Sequence, residues 1–498
     1  MSGFIFDIGI AYTKIGQLGK NQPQMILKTP NNLFKKLKEI DIFEKPQNLM
    51  DSLIDENYMA KQLKKQQNLK QPEQEETSEQ QEKNKNEDES LNDQEKNKLQ
   101  DQDQNQENIQ QRDDSLEKQN SSQSEKQNEN QQKYKQFLHT LRLPLQEFLT
   151  NIFYYELQIK PNQKNIYICE NFMMPRPFIE ILADILYTQF EVGKVFYFLS
   201  NSLPLYLTEQ QTGIVIESNY YDTQITSVYE GYPQMNAFTF ENCGGYLMNY
   251  TIKKELIKKF MQITDFNEQG IKKKYEKMQQ YQYLNKYINF NTLEDLKFRY
   301  CKILSRKQKA EFFSSEENIQ KMKQQQLNFV INKNINQKIP ISYYDTVFAG
   351  EILFGNVENE ETNIAYSFLS ALKKLDPLTV KKQVQNVIFS GGVTQIKGFI
   401  SRFREEIIYF LDNNKEFARI KYIRDHIKFT NIVYPNNLLN WIGASLLGGL
   451  QGIEKFCVSN KQYQENNYTI PDRFGTAYIS ATRDSIYIAP EIENIQVL

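Results

Sequence analysis

Asp7, Gly9, Lys14 and Gly16 fall in one short segment, Asp7-x-Gly9-x(4)-Lys14-x-Gly16. A hairpin turn that offers backbone N–H groups, with a lysine at its foot, cradles polyphosphate. An acid on the strand before that turn holds a hydrated Mg²⁺. A second segment, Phe389-Ser390-Gly391-Gly392-Val393-Thr394, sets two glycines between an apolar run and an amphipathic one. Such a pair lets backbone approach a nucleotide, and the helix start behind it favours anions. A third segment runs from Thr212 through Gly213 to Glu217 and Ser218, with Val228-Tyr229-Glu230-Gly231-Tyr232 following. It puts the Glu217 carboxylate at a strand end. Taken singly, each has an ordinary reading. Asp-x-Gly occurs in many turns, Gly-Gly joins many strands to helices, and Glu217 suits a cap.

Composition narrows the chemistry. Only two histidines, His139 and His426, stand in 498 residues, which argues against a His-built metal site and against Ser/His or Cys/His catalysis. The four cysteines (Cys169, Cys243, Cys301, Cys457) show no CxxC spacing, so a disulfide scaffold is not expected and a reducing compartment fits. No apolar run reaches the ~18 residues of a membrane span. The start, MSGFIFDIGIAYTK, lacks the basic and long apolar regions of a signal peptide. A net charge of −2 gives no support for nucleic-acid binding. The 39% hydrophobic content averages two unlike materials. Residues 59–133 hold 30 charged residues, 19 Gln and 10 Asn, with no aromatic, Val or Gly. That composition predicts a disordered insert, leaving a body of ordinary globular make-up. The plainest reading of the insert is a solvated loop expansion; self-association and an adaptor-binding tail are the others.

The elements that must position these residues alternate. Strands are expected at Phe4–Ile8, Ala11–Leu18, Met25–Leu27, Asn165–Cys169, Val195–Leu199, Gly213–Ile216, Gln224–Val228, Asn386–Phe389 and Ile432–Tyr434. Helices are expected at Gln136–Leu157, with Pro144 predicting a kink or a division into two, and at Pro177–Phe190, Tyr246–Phe260, Glu360–Leu375, Gln395–Leu411 and Leu438–Leu450. Phe266–Tyr300 reads as helix-rich and charged. Strands alternating with crossover helices predict an α/β architecture with a mixed sheet, restarting once along the chain.

The order of these motifs closely resembles the actin superfamily of the sugar kinase/70-kDa chaperone/actin fold. Asp-Ile-Gly-x-Ala-Tyr-Thr-Lys-Ile-Gly at 7–16 is similar to its first phosphate loop. Thr-Gly-Ile-Val at 212–215 and Tyr-Glu-Gly-Tyr at 229–232 flank the second. Ser-Gly-Gly at 390–392 resembles the adenosine motif, and Asn440-Trp441-Ile442-Gly443-Ala444-Ser445 the late helix. The resemblance implies a duplicated, ribonuclease H-like α/β fold with two lobes around a cleft. Residues 1–34, 135–207 and 439–498 would build the first subdomain. Residues 208–242 with 343–438 would build the third, and 243–342 the fourth. The insert at 59–133 stands in place of the second. ATP or ADP with Mg is the implied cofactor, on Asp7, Gly9, Lys14, Glu217, Lys297, Gly391 and Gly392.

Departures from the family pattern point away from catalysis. The second loop, Asp-x-Gly-x-Gly in active members, reads Glu217-Ser218-Asn219-Tyr220-Tyr221. Bulky residues replace both glycines, so the loop hugs phosphates less closely. Ile10 falls where a hydroxyl contacts the terminal phosphate, and Ser200 where a Gln orients water. Lys297 matches an adenine-side segment whose Arg and Glu become Glu294 and Phe298; a basic residue near Asn437 is also missing. The expectation is a protein without turnover, with no catalytic residue and no metal ligand. Replacing the subdomain that actins use for longitudinal contacts predicts a subunit that caps a filament. Glu351-Ile-Leu-Phe-Gly355-x(2)-Glu358 and Leu375–Gln383 narrow the resemblance to the actin-related proteins of the dynactin pointed end. That implies as partners the filament-forming actin-related protein of dynactin, the other pointed-end subunits and, indirectly, dynein adaptors. It also implies a cytoplasmic, cytoskeletal location, no nucleic acid and no membrane insertion. The alternative is a nuclear actin-related subunit of a chromatin-remodelling complex.

Overall fold

The computed structural model describes residues 3–30, 33, 141–174, 176–261, 288–332, 337–355, 363–466 and 468–471. The predicted insert at 59–133 lies outside them, as do parts of the expected first and fourth subdomains.

The strands, in chain order, are β1 Gly3–Ile8, β2 Tyr12–Gln17, β3 Met25–Lys28, β4 Asn165–Glu170, β5 Lys194–Leu199, β6 Gly213–Ser218, β7 Thr223–Tyr229, β8 Tyr232–Pro233, β9 Thr239–Glu241, β10 Gln326–Asn332, β11 Gln337–Ser342, β12 Val387–Ser390 and β13 Val458–Ser459. The helices are α1 Arg176–Asp184, α2 Gly245–Met261, α3 Phe290–Tyr300, α4 Arg306–Phe312, α5 Glu316–Gln324, α6 Tyr343–Glu351, α7 Ile364–Lys373, α8 Pro377–Gln383, α9 Phe399–Asn413, α10 Leu439–Gly448 and α11 Asn460–Glu465.

Two mixed sheets repeat one motif. The first has the order β13-β5-β4-β1-β2-β3, with β1, β4 and β5 parallel and β1-β2-β3 an antiparallel meander. The second has the order β12-β6-β7-β8, with β12 parallel to β6, β6-β7-β8 antiparallel, and β9 also on β7. In each, a hairpin is flanked by a parallel strand delivered by a helical crossover. The central strands GFIFDI, KVFYFL and GIVIES are apolar and buried throughout or nearly so, as strands covered on both faces must be. In β2, by contrast, Thr13 and Ile15 turn inward while Tyr12 and Lys14 are half-buried, the period-2 pattern of a strand with one covered face.

Each sheet carries its own core. The first lobe gathers Phe4, Phe6, Phe148, Phe153, Leu182 and Tyr463 into one cluster, so it joins chain from both ends of the sequence. The second lobe gathers Ile216, Phe368, Phe389, Phe399 and Phe403. There α6 is tied to α9 by a buried guanidinium: Arg402 Nη1 lies 3.0 Å from Glu351 Oε2, and its Nε lies 2.6 Å from Glu406 Oε1. A charge so deeply placed is tolerable only when paired this completely.

Two helices and one expected strand depart from the simple pattern. Residues 141–150, with Pro144 among them, form one unbroken helix; residues 136–140, where the expected helix begins, lie outside the described residues. That helix and α1 each run on into a wide turn, closed by Leu157 N–H to Ile152 O (2.8 Å) and Phe190 N–H to Ile185 O (3.2 Å). Ile432–Tyr434 is not a strand. The bridge to β12 is made earlier, at Phe429 opposite Val387, and Val433 is 97% exposed. Ile432 packs on the cluster of Leu205, Val215 and Ile388, but as part of an irregular segment before Pro435 and not as a strand.

Candidate functional site

The turns after β1 and β6 and the Gly-Gly turn after β12 meet at one cleft between the lobes, a cavity of about 380 Å³. All seven residues singled out from the sequence line it: Asp7, Gly9, Lys14, Glu217, Lys297, Gly391 and Gly392. Ile10, Ser200, Asn219, Tyr220, Tyr221, Phe298 and Asn437 line it too, so the departures from the family pattern fall in the same place as the matches.

The cations in this cleft are already matched. Asp7 and Lys14 are register partners across β1 and β2, and Lys14 Nζ lies 2.6 Å from Asp7 Oδ2. Lys297, on α3 and 7% exposed, is held by Glu294 one turn earlier and reaches the Gly245 carbonyl at 3.4 Å. Glu294 also takes an amide hydrogen bond from Asn249 at 2.6 Å.

Three of the backbone donors at the turns are matched as well. The Gly9 N–H donates to Tyr12 O (3.1 Å) and that of Asn219 to Asp222 O (2.8 Å). The Gly391 N–H donates to Asn436 O (3.0 Å). The second turn is stapled further by Gly245 N–H to Asn219 O (3.0 Å) and Tyr246 N–H to Tyr220 O (2.6 Å). Gly391 sits at φ +90°, where an added Cβ would lie 2.1 Å from Ser218 O. At Gly392 an added Cβ would meet nothing within 4 Å, so that backbone faces open space.

The floor is acidic. Glu217, 4% exposed, accepts from Asn440 Nδ2 at 2.7 Å through Oε1, while Oε2 is buried without a hydrogen-bond partner. Burial, with the Asp7 charge adding to it, pushes its pKa up to about 7. Ser200 Oγ is likewise buried and unsatisfied. Burial also raises the Cys169 thiol well above its ordinary range, and it raises Tyr12 to about 12, with the Glu294 charge contributing.

This arrangement sets internal partners in competition with a nucleoside triphosphate. A polyphosphate is held by unspent N–H groups and by cations that can turn toward it. Here both lysines face carboxylates, the three turn donors named above face carbonyls, and Asp222 adds a further carboxyl group to the lining. Sequence reasoning missed Asn440 as the partner of Glu217, and Tyr12 as a lining residue with the Phe290 ring packed on it. Asn440 stood in a recognised segment, but its contact spans 223 positions.

Comparison with known proteins agrees with the topology. The actin family model matches residues 144–473. "Actin-related protein 10" of Dictyostelium discoideum is 27% identical over 330 residues, 60% of this chain and 65% of that protein. The chain thus spans less than two thirds of that relative's length. "Putative actin-29" of the same organism is 23% identical over 336 residues, 66% of this chain and 76% of that protein. With its family model covering most of the sequence and its chemistry gathered in one interlobe cleft, the chain belongs to the actin family.

Proposed function

We propose that this protein is a non-catalytic actin-related subunit that caps the pointed end of the dynactin mini-filament and helps recruit the other pointed-end subunits. The observation that carries the non-catalytic part is the internal pairing of the cleft: Lys14 on Asp7 and Lys297 on Glu294. Tyr221 at a family glycine position and Ser200 at a family glutamine position support the same reading. The capping part draws on the sequence resemblance at Glu351–Glu358 and Leu375–Gln383. It draws also on the composition of residues 59–133, which cannot build the subdomain that actins use to accept a further neighbour. The name of the relative, an actin-related protein, is in keeping with it. No helix among the described residues is long and apolar enough to cross a membrane, and no group of three or more metal-ligating side chains occurs among them.

Affinity purification of the tagged full chain is expected to recover dynein–dynactin subunits and to show no ATP turnover above background. Recovery of chromatin-remodelling subunits would favour the nuclear alternative. Hydrolysis at actin-like rates, or filaments of this chain alone, would overturn the proposal.

A further inference from the structure

The mouth of the cleft is crossed by side chains from both lobes. Tyr12 and Lys28 are register partners on β2 and β3, so they project together from the edge of the first lobe. Opposite them stands Phe290, the first residue of α3, set by the Asn289 cap, whose side chain accepts from the Thr292 N–H. The Phe290 ring lies 5.6 Å from Tyr12, 5.6 Å from Tyr220 and 4.5 Å from the Lys28 ammonium. Tyr220 continues inward to Tyr246 (5.8 Å) and Tyr221 (5.2 Å), and those two rings are 5.1 Å apart. Centroid separations of this size, tilted or edge-on, are favourable aromatic geometry, and the lysine over a ring face adds a cation–π contact.

We propose that Phe290 is an internal clasp: gripped by Tyr12 and Lys28 from one lobe and by Tyr220 from the other, it holds the two lobes together with no ligand in the cleft. The clasp does mechanically what a bridging ligand would do, because it spans the same gap and is anchored on the two turns that would otherwise face phosphate. A wedge of the protein's own aromatics costs no binding equilibrium, so the lobes keep one relative position at any nucleotide concentration. A subunit whose shape must match a fixed neighbour benefits from that. The clasp stands on its own contacts, however, and failure to purify with filament subunits would leave it untouched.

Hydrogen exchange on the full chain tests this. In the native protein, amides of the β1–β2 turn and of the first turns of α3 are expected to be equally protected with and without Mg-ATP. Phe290→Ala should speed exchange in both segments by about tenfold through local opening, leaving β4, β5 and β12 unchanged, and Phe290→Tyr should restore protection. Lys28→Ala, at an exposed position and removing one contact, should speed the same segments by a smaller factor and serves if Phe290→Ala unfolds throughout. Unaltered exchange in these segments in both alanine variants would overturn the clasp. So would a native protein in which they become protected only when Mg-ATP is added.

Discussion

Glu217 is a carboxylate kept from water with only one oxygen served. The folded chain holds its proton to about pH 7, while the ordinary value is 4.5. Between those values the unfolded chain binds fewer protons, so stability falls as pH rises through the window. At ~1.4 kcal/mol per unit the full loss is about 3 kcal/mol. Glu241, pushed up to about 7 by burial against the pull of its Ser367 hydrogen bond, acts in the same window. Glu217→Gln should therefore melt higher than the native protein at pH 8, by about 5 °C, and lose part of its slope between pH 5 and 7. Thermal melts across that range check it; an unchanged slope would mean that Glu217 ionises freely. The sequence displayed Asp7, Lys14 and Glu217 as charges suited to a ligand. It did not display that Lys14 faces Asp7, because that requires the register of β1 on β2. The Glu294–Lys297 pair, three apart on a helix, was within reach of spacing alone.

Among elements, the turn after β12 offers the clearest contrast. Gly391 and Gly392 look alike in sequence, yet one backbone is pressed against Ser218 at positive φ and the other faces the cleft. Gly391→Ala should cost about 3 kcal/mol or more, combining positive-φ strain with a steric overlap. Gly392→Ala should stay within ~0.5 kcal/mol. Urea unfolding of the two variants measures both, and equal losses would refute the distinction. Most strands were legible because buried parallel strands are continuous apolar runs. The hairpin of β10 and β11 was not: Gln326, Asn328, Asn332, Gln337 and Lys338 dilute its alternation, and a β-bulge between Val330 and Asn332 breaks its period. Helices α4 and α5 begin at Ser305 and Ser315, whose side chains accept from Gln308 and Asn318 N–H. Those cap signals were readable, but the helices between them carry too few apolar residues to show a face.

Across the whole molecule, the two lobes share a cleft whose charges answer one another. A ligand that bound with a Kd of about 1 µM, supplied at about 1 mM, would stabilise the fold by ~4 kcal/mol. The internal pairing predicts that Mg-ATP at that concentration leaves the melting temperature within about 1 °C of the free protein. A shift of several degrees would show that the lysines exchange their carboxylates for phosphate. The repetition of the two sheets was legible as a restart in the pattern. Their meeting was not, since the contacts that join them, such as Asn201 to Gln224 and Asn440 to Glu217, carry no local signature.

The first sheet is closed from the far end of the chain. Trp441 Nε1–H reaches the Ile5 carbonyl at 3.4 Å, Tyr187 donates to Val458 O at 2.6 Å, and Tyr463 and Ile470 share a core with Phe4. On a ribosome, the lobe that starts first is therefore completed last. At ~5–20 residues per second, the apolar strand Gly3–Ile8 waits roughly half a minute or more for the helix that covers it. During that wait the sheet it belongs to carries an uncovered apolar face. The need for protection during birth is thus written into the order in which this chain visits its own core.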